Sequence, residues 1–289
     1  MRKTLSLAEQ NSRAIKLSRI ALFSLCLFVA ALCLFPFLAL LIIVTKDSVA
    51  IQSGFSFTLG SSFIDNIQNL IAFMDDYGYS IIRSFFNSCI ISFCSTGLCI
   101  YFSALTAYAC HVYDFKGKAF FEKFILFLII IPGQLGAVGF FKLVMDLELN
   151  NTYVPFILPA VASASTVYFL RQYLKTNFSK EYVDAGRMDG ASEFKIFNTI
   201  CLPYIKAGLA TMALFGIISS WNNFMGPMTF LSNSDLYTLP QIMYYLTTSN
   251  LTDYGAYYMS VLIVMLPMLV IYFLMSKTIM KGVSAGGIK

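Results

Sequence analysis

Charge is scarce in this chain. Of 289 residues only 12% are Asp, Glu, Lys or Arg, about half the share usual in a soluble domain. Histidine and tryptophan occur once each, as His111 and Trp221. The seven cysteines form no CxxC pair, and each sits in an apolar run or at its edge. With a single His, a zinc site of the ordinary His and Cys kind lacks ligands, and the thiols read as small buried hydrophobes. No GxxxxGK[ST] phosphate loop is present. Gly117-Lys118 lacks both the upstream Gly and the following Ser or Thr, so ATP hydrolysis by that device is excluded. Nor do one His and scattered loop acids assemble a nucleophile, a base and an orienting group. No metal, no cofactor and no nucleic-acid partner is expected. The net charge of +5 matters here through where the Lys and Arg lie.

What the chain has in abundance is apolar surface. Hydrophobic residues make up 58%, with 28 Phe and 17 Tyr, and the mean hydropathy is +0.72. Too little polar material remains to cover a water-soluble body, so a soluble enzyme is excluded. Six apolar runs predict six membrane helices: residues 20–44, 87–110, 124–144, 155–170, 205–219 and 258–275. The first is too long for a signal-peptide core and reads as a retained anchor. The fourth and fifth are short for a bilayer unless they tilt or extend through Tyr, Thr and Asn. The six runs carry almost no internal charge, Lys142 and Lys206 each lying near an end, so proton coupling through buried acids or bases is not expected. No internal repeat supports an inverted-repeat carrier.

Seventeen of the twenty Lys and Arg residues fall before the first run, between the second and third, between the fourth and fifth, or after the sixth. The other loops carry most of the acids, Asp47, Asp65, Asp75, Asp76, Asp146, Glu148, Asp235 and Asp253 among them. Both termini therefore face the cytoplasm. The expected fold is an all-α polytopic membrane protein with a cytoplasmic segment 1–19, a transmembrane region 20–276 and a cytoplasmic tail 277–289. Outside, residues 47–83 and 220–257 exceed simple hairpins, and the amphipathic stretch 64–73 reads either as an interfacial helix or as part of a landing platform for an outer partner.

The longest cytoplasmic loop, 177–206, predicts a short helix over 180–188, a turn at Asp189-Gly190, and a second helix over 191–200 capped by Asp189. In that second helix Ala191, Phe194 and Phe197 share a face. It suits either a groove on a partner protein or packing against the chain's own helices.

The loop resembles the EAA loop of ATP-binding-cassette importer permeases, whose pattern is Glu-Ala-Ala, three residues, Gly, nine residues, Ile, one residue, Leu-Pro. Here stand Asp184, Ala185 and Gly186, then Gly190, Ile200 and Leu202-Pro203, with the spacing kept. Asp replaces Glu with its charge retained. Gly186 replaces the second Ala, which should weaken the first helix by about 1 kcal/mol if exposed, and Ser179 stands where relatives often have Pro. The resemblance extends over nearly the whole chain and more narrowly to maltose-type carbohydrate importers. Asn87-Ser88, Ala107-Tyr108-Ala109, Phe115-Lys116-Gly117-Lys118, Pro132, Asp189-Gly190-Ala191, Trp221-Asn222-Asn223-Phe224 with Pro227, Thr238-Leu239-Pro240 and the ending Lys281 to Lys289 all carry it.

The resemblance implies a non-catalytic permease subunit in a prokaryotic cell membrane. Its partners would be a similar second permease, two cytoplasmic ATPase subunits that bind ATP and Mg, and an extracytoplasmic solute-binding protein. The second loop helix would dock in an ATPase cleft, and the tail, through Lys281, Gly282, Ser284 and Gly286, would reach the ATPases too unless it is merely a Gly-rich disordered end. For the sugar route, Gln134, Asn222 and Asn223 offer donors and acceptors and Trp221 a flat face, although the two Asn residues can equally tie helices together. An importer of a non-sugar solute, or a docking or sensory subunit without transport, are the rival readings.

Overall fold

The computed structural model describes residues 7–248 and 253–286, and among them every regular element is helical. Within hydrocarbon the backbone finds no water, so an apolar segment satisfies its N–H and C=O groups by closing helical hydrogen bonds on itself. The first helix, α1 (Leu7–Ile43), contains a stretch from Ser18 to Ile43 long and apolar enough to cross a bilayer. Nearly all of that stretch is exposed, Phe23, Phe28 and Leu32 included, an arrangement water would not tolerate. After it come α2 (Ser48–Gln52), α3 (Phe63–Asp76) and α4 (Ile81–Val112). Asp47 caps α2 by accepting from the Ala50 N–H at 3.0 Å, and Ser80 caps α4 by accepting from Arg83. Then follow α5 (Lys118–Ile130), α6 (Ala137–Asp146), α7 (Val154–Ile157) and α8 (Ala164–Asn177). The loop helices are α9 (Glu181–Met188), α10 (Glu193–Ile196) and α11 (Leu202–Tyr204). The chain closes with α12 (Lys206–Trp221), α13 (Met225–Phe230), α14 (Leu239–Thr248) and α15 (Tyr254–Gly286).

Four of the six expected crossings are helices that pass on length and apolarity: 18–43, 81–112, 154–177 and 254–276. The other two are bent. The expected single span over 124–144 is broken between α5 and α6 by 87°. Pro132 lies at the break and a short 3-10 turn, Gly133–Gly136, follows it; proline removes an N–H, and here Ile131 and Pro132 both adopt extended backbone. Ahead of α12 the bend is 79°, and residues 193–204 and 206–221 pass only as a bent pair, α12 alone having 16 residues. The fourth is longer than its apolar run because α8 continues through Arg171 to Asn177. Arg171, which charge counting assigns to a loop, is a buried helical residue paired with Glu122 of α5.

The chain divides into two compact units, residues 1–70 with 251–262 and residues 71–250 with 263–289. In the first, Asp253 accepts from Ser48 Oγ and Asn69 Nδ2, both at 2.7 Å, and Asn66 Nδ2 donates to the Val44 and Lys46 carbonyls at 2.9 Å. The second is organised on α4, against which α8 and α12 pack most extensively. Small residues let this happen, since Ala104 and Ala107 on α4 are fully buried. At the outer end of α4, Asn87 Nδ2 donates to the carbonyls of Asp235 (2.8 Å) and Tyr237 (3.0 Å), and its Oδ1 accepts from Tyr153 Oη at 2.7 Å. Ser88 Oγ accepts from the Leu239 N–H at 2.9 Å. The pair Asn87-Ser88 thus holds the segment carrying Thr238-Leu239-Pro240, and Arg83 pairs with Asp235 beside it.

Replacing Asn87 with Leu strips two carbonyls and one hydroxyl of their partner in a largely buried place. A loss of roughly 1–3 kcal/mol is expected, read as a lower thermal midpoint of the detergent-solubilised protein; an unchanged midpoint would refute the role assigned to this side chain.

Candidate functional site

The loop at residues 177–206 folds as two short helices across a tight turn. Residues 181–188 form α9, one residue shorter than the sequence predicts. Asp189 closes that helix, its N–H bonding back to the Ala185 and Arg187 carbonyls. Gly190 takes φ +76°, a left-handed conformation that costs a residue with a β-carbon about 1 kcal/mol or more. The Ala191 N–H then returns to the Gly186 carbonyl at 3.0 Å. Ala191 therefore belongs to the turn, and the second helix begins at Glu193 rather than 191, capped by Ser192 rather than Asp189. It continues beyond the expected end through a π-helical turn, Phe197–Cys201, in which the Leu202 N–H reaches the Phe197 carbonyl. Pro203 follows and has no N–H to offer the Thr199 carbonyl, which accounts for the irregular winding just before it.

This arrangement divides the predicted coupling residues into two sets. Asp184, Ala185, Asp189, Gly190, Phe194 and Pro203 are exposed, Phe194 by 65%. Ala191 and Leu202 are half-buried. Phe197 does not stand outward with Phe194 as a docking residue: it is buried against Tyr101 and Tyr108 with ring centroids 5.8 and 5.4 Å apart, the packing on the chain's own helices that the pattern also allowed. With Ile196, Cys201 and Ile205 it enters a core made by Ala104, Ala107, Leu170 and Leu174. Gly186 is buried too, and a β-carbon there would stand 3.0 Å from Ile196 Cγ1. Its missing methyl is where the second helix approaches the first. Met188, 88% exposed beside the turn, joins the outward set although no motif pointed to it.

Charges lock the two helices together. Arg187 donates from Nε to Glu193 Oε1 at 2.7 Å and from Nη1 to Asp184 Oδ1 at 3.0 Å. Glu193 Oε2 accepts from Tyr113 Oη at 2.6 Å and from Tyr108 Oη at 3.4 Å. The Arg187 guanidinium, then the Tyr113 hydroxyl, hold the Glu193 carboxyl below the usual glutamate range. Neither Arg187 nor Glu193 stood out in the sequence, where both look like solvated surface charges.

The other feature is a cleft of about 510 Å³ between α4, α12 and the segment around α8. Its polar lining comprises Ser95, Thr96, Ser163, Ser165, Thr166, Ser219, Ser220 and Asn223, with Cys99 and apolar Ile100, Phe156, Met212 and Phe215 between them. Among the described residues no charged side chain lines it. Ser95 Oγ and Ser220 Oγ meet at 3.1 Å across two of its walls. Of the four predicted route residues only Asn223 lines this cleft, with its Oδ1 also accepting from the Gly226 N–H. Trp221 is 2% exposed, edge-on to Phe85 and bonded through Nε1 to the Val264 carbonyl at 3.2 Å; its ring is a packing element, with no face turned to a passing sugar. Asn222 terminates α12 in an exposed position, and Gln134 is exposed on the 3-10 turn after Pro132. The hydroxyl set was scattered over three helices and carried no local signal. The backbone of α15 runs through Lys281, Gly282, Ser284 and Gly286, but their side chains lie outside the described residues, as do the contacts expected of them. Among the described residues no three His, Cys, Asp or Glu side chains gather as a metal site would need.

Two outcomes follow from the loop. Proline cannot adopt the backbone of Gly190, so Gly190→Pro should open the turn and speed tryptic cleavage after Arg187 at least tenfold in the solubilised protein, whereas cleavage at the wild-type rate would contradict the turn. Because the folded-state pKa of Glu193 is depressed, the stability its bonds give is fully present above the ordinary glutamate pKa and disappears as pH falls through the lowered value. The difference in thermal midpoint between wild type and Glu193→Gln should therefore be constant at neutral pH and shrink only on acidification below about 4.3.

Residues 99–279 match the family described as the binding-protein-dependent transport system inner membrane component. The chain is 32% identical to the arabinooligosaccharides transport system permease protein AraQ of Halalkalibacterium halodurans, over 91% of this chain and 93% of that one. It is 29% identical to the trehalose/maltose transport system permease protein MalG of Thermococcus litoralis, over 94% and 98%. Its fold is similar to a chain in the crystal structure of a bacterial ABC transporter involved in the import of the acidic polysaccharide alginate, with a TM-score of 0.71 at 20% identity over 96% and 99% of the two chains. With bent and straight helices apolar enough for a membrane, an EAA-type loop folded onto α4 and these similarities along its length, the chain belongs to the binding-protein-dependent transport system inner membrane components, the non-catalytic multi-pass permeases of ATP-binding-cassette importers.

Proposed function

We propose that this permease forms one wall of a path for neutral oligosaccharides, beside a similar second permease, above two ATPase subunits and beneath a solute-binding protein. The observation that carries the reading is the charge-free cleft. Its hydroxyl and amide groups both donate and accept, as sugar hydroxyls do, and its volume of about 510 Å³ falls within the usual range for small-molecule sites. A phosphorylated or carboxylated solute would call for Arg or Lys in the path, and this wall provides none among the described residues. Relatives named for arabinooligosaccharides and for melibiose, raffinose and stachyose support the same class, while one named for sn-glycerol-3-phosphate is less similar, at 25% identity.

On the cytoplasmic side, the exposed set of Asp184, Ala185, Met188, Asp189, Gly190 and Phe194 meets the ATPase. Phe194 acts as the apolar anchor, its contact made by the helix that Ser192 caps. The helical tail around Lys281 to Gly286 contributes a further contact with the ATPase pair. Closing of the ATPases moves the loop helices, and α4 and α12 carry that movement to the cleft they line.

The test is uptake by the whole importer, assembled with its partner permease, ATPases and binding protein in proteoliposomes. A neutral tri- or tetrasaccharide should enter in an ATP-dependent manner and sn-glycerol-3-phosphate should not. Ser220→Phe, which fills the cleft, should lower sugar uptake at least tenfold with the complex intact, and Ser220→Ala should not. Uptake of the phosphate ester in place of the sugar, or normal uptake by Ser220→Phe, would overturn the reading.

A further inference from the structure

Glu193 occupies a position that the docking role of the loop does not require. It lies in the first turn of α10, one residue before Phe194, yet its carboxylate points away from the outward set and into contacts with two other helices. Through Oε1 it takes the Arg187 Nε–H of α9 at 2.7 Å; through Oε2 it takes the hydroxyls of Tyr113 at 2.6 Å and Tyr108 at 3.4 Å. Tyr108 is an α4 residue, 2% exposed, and Tyr113 is the residue that ends α4. A single carboxylate thus joins the docking helix, the helix before it and the cytoplasmic end of the central helix.

α4 continues from there without a break or a proline to Cys99, Thr96 and Ser95, which wall the cleft. Thirteen residues separate Tyr108 from Ser95, about 20 Å along a helix. Beneath it the contacts are largely apolar, Phe197 on Tyr101 and Tyr108, with one long neutral hydrogen bond from Tyr101 Oη to Asn198 Oδ1 at 3.3 Å, and apolar burial itself is non-directional. They oppose separation of α10 from α4 more than its rotation about Phe197. Charge-assisted hydrogen bonds are directional and resist that rotation.

We propose that Glu193 is a positioning residue that fastens the docking helix to α4 through Tyr113 and Tyr108, so that movement imposed on the loop reaches the cleft wall. The proposal rests on the reading of the loop as the ATPase-coupling element. Without the carboxylate, α10 turns about Phe197 and ATPase closure produces local tilting with little change at Ser95 and Thr96.

The experiment measures ATP hydrolysed per sugar imported, in the complete importer in proteoliposomes, for wild type, Glu193→Ala, Glu193→Gln, Tyr113→Phe and the double variant Glu193→Ala/Tyr113→Phe. Glu193→Ala and Tyr113→Phe should each raise the ratio at least threefold. The double variant should be no worse than Glu193→Ala alone, because both remove one link. Glu193→Gln keeps an acceptor and a donor and should recover most of the coupling. Tyr113→Phe retains the ring and its packing, so it carries the test if Glu193→Ala fails to assemble. A parallel fall in hydrolysis and uptake with an unchanged ratio would reduce Glu193 to a structural role and overturn the proposal. Additive effects of the two single changes would overturn it as well. A wild-type importer whose hydrolysis does not respond to sugar and binding protein would instead sink the coupling reading on which the proposal stands.

Discussion

The contact on which the second compact unit depends is the burial of Ile196 and Phe197 against Ala104, Tyr108, Leu170 and Leu174. A loop that merely hung below the membrane would need polar residues all round. This one carries fully buried Ile196 and Phe197, and each large side chain removed from water contributes about 1.5–3 kcal/mol. The cytoplasmic loop is therefore part of the core. Its helices cannot lift away from α4 and α8 without exposing those side chains.

That constraint explains the distribution of polar groups. Near the loop, where water and core meet, two charged pairs run between elements: Arg187 with Glu193 across the turn and Arg171 with Glu122 between α8 and α5. Farther along α4 hydroxyls and amides line the cleft or, as Asn87 and Ser88 do, fasten the segment at Asp235 to Leu239 beside the Arg83–Asp235 pair. The helix thus works as a spine with different chemistry at each end and small residues between, where α8 and α12 come close.

Much of this was legible in the residues. The six apolar runs and the sorting of Lys and Arg marked where helices would cross, because both follow from the cost of placing charge in hydrocarbon. The loop spacing from Asp184 to Pro203 located the turn, because only a residue such as Gly190 accepts its backbone. Three things were not readable. The 87° break at Pro132 lay within a continuous apolar run, and hydropathy does not register direction. Phe197 looked like a partner of Phe194 because an ideal period of 3.6 places them near one another, whereas the core captured one and left the other in solvent. The cleft was hidden altogether: its hydroxyls come from α4, from the segment at Ser163 to Thr166 and from α12, and Ser and Thr are too common in membrane helices to announce a site. Trp221, the most conspicuous residue of the expected route, went to packing instead.

The absent methyl at Gly186 has an implication for how such loops vary. A β-carbon there would lie 3.0 Å from Ile196 Cγ1 and 3.2 Å from Ile200 Cδ1, so positions 186, 196 and 200 share one volume. A chain with alanine at the first place must shift those isoleucine side chains by a few tenths of an ångström, and a chain with glycine need not. The departure from the Glu-Ala-Ala pattern is then what lets both isoleucines close on the first helix without displacement.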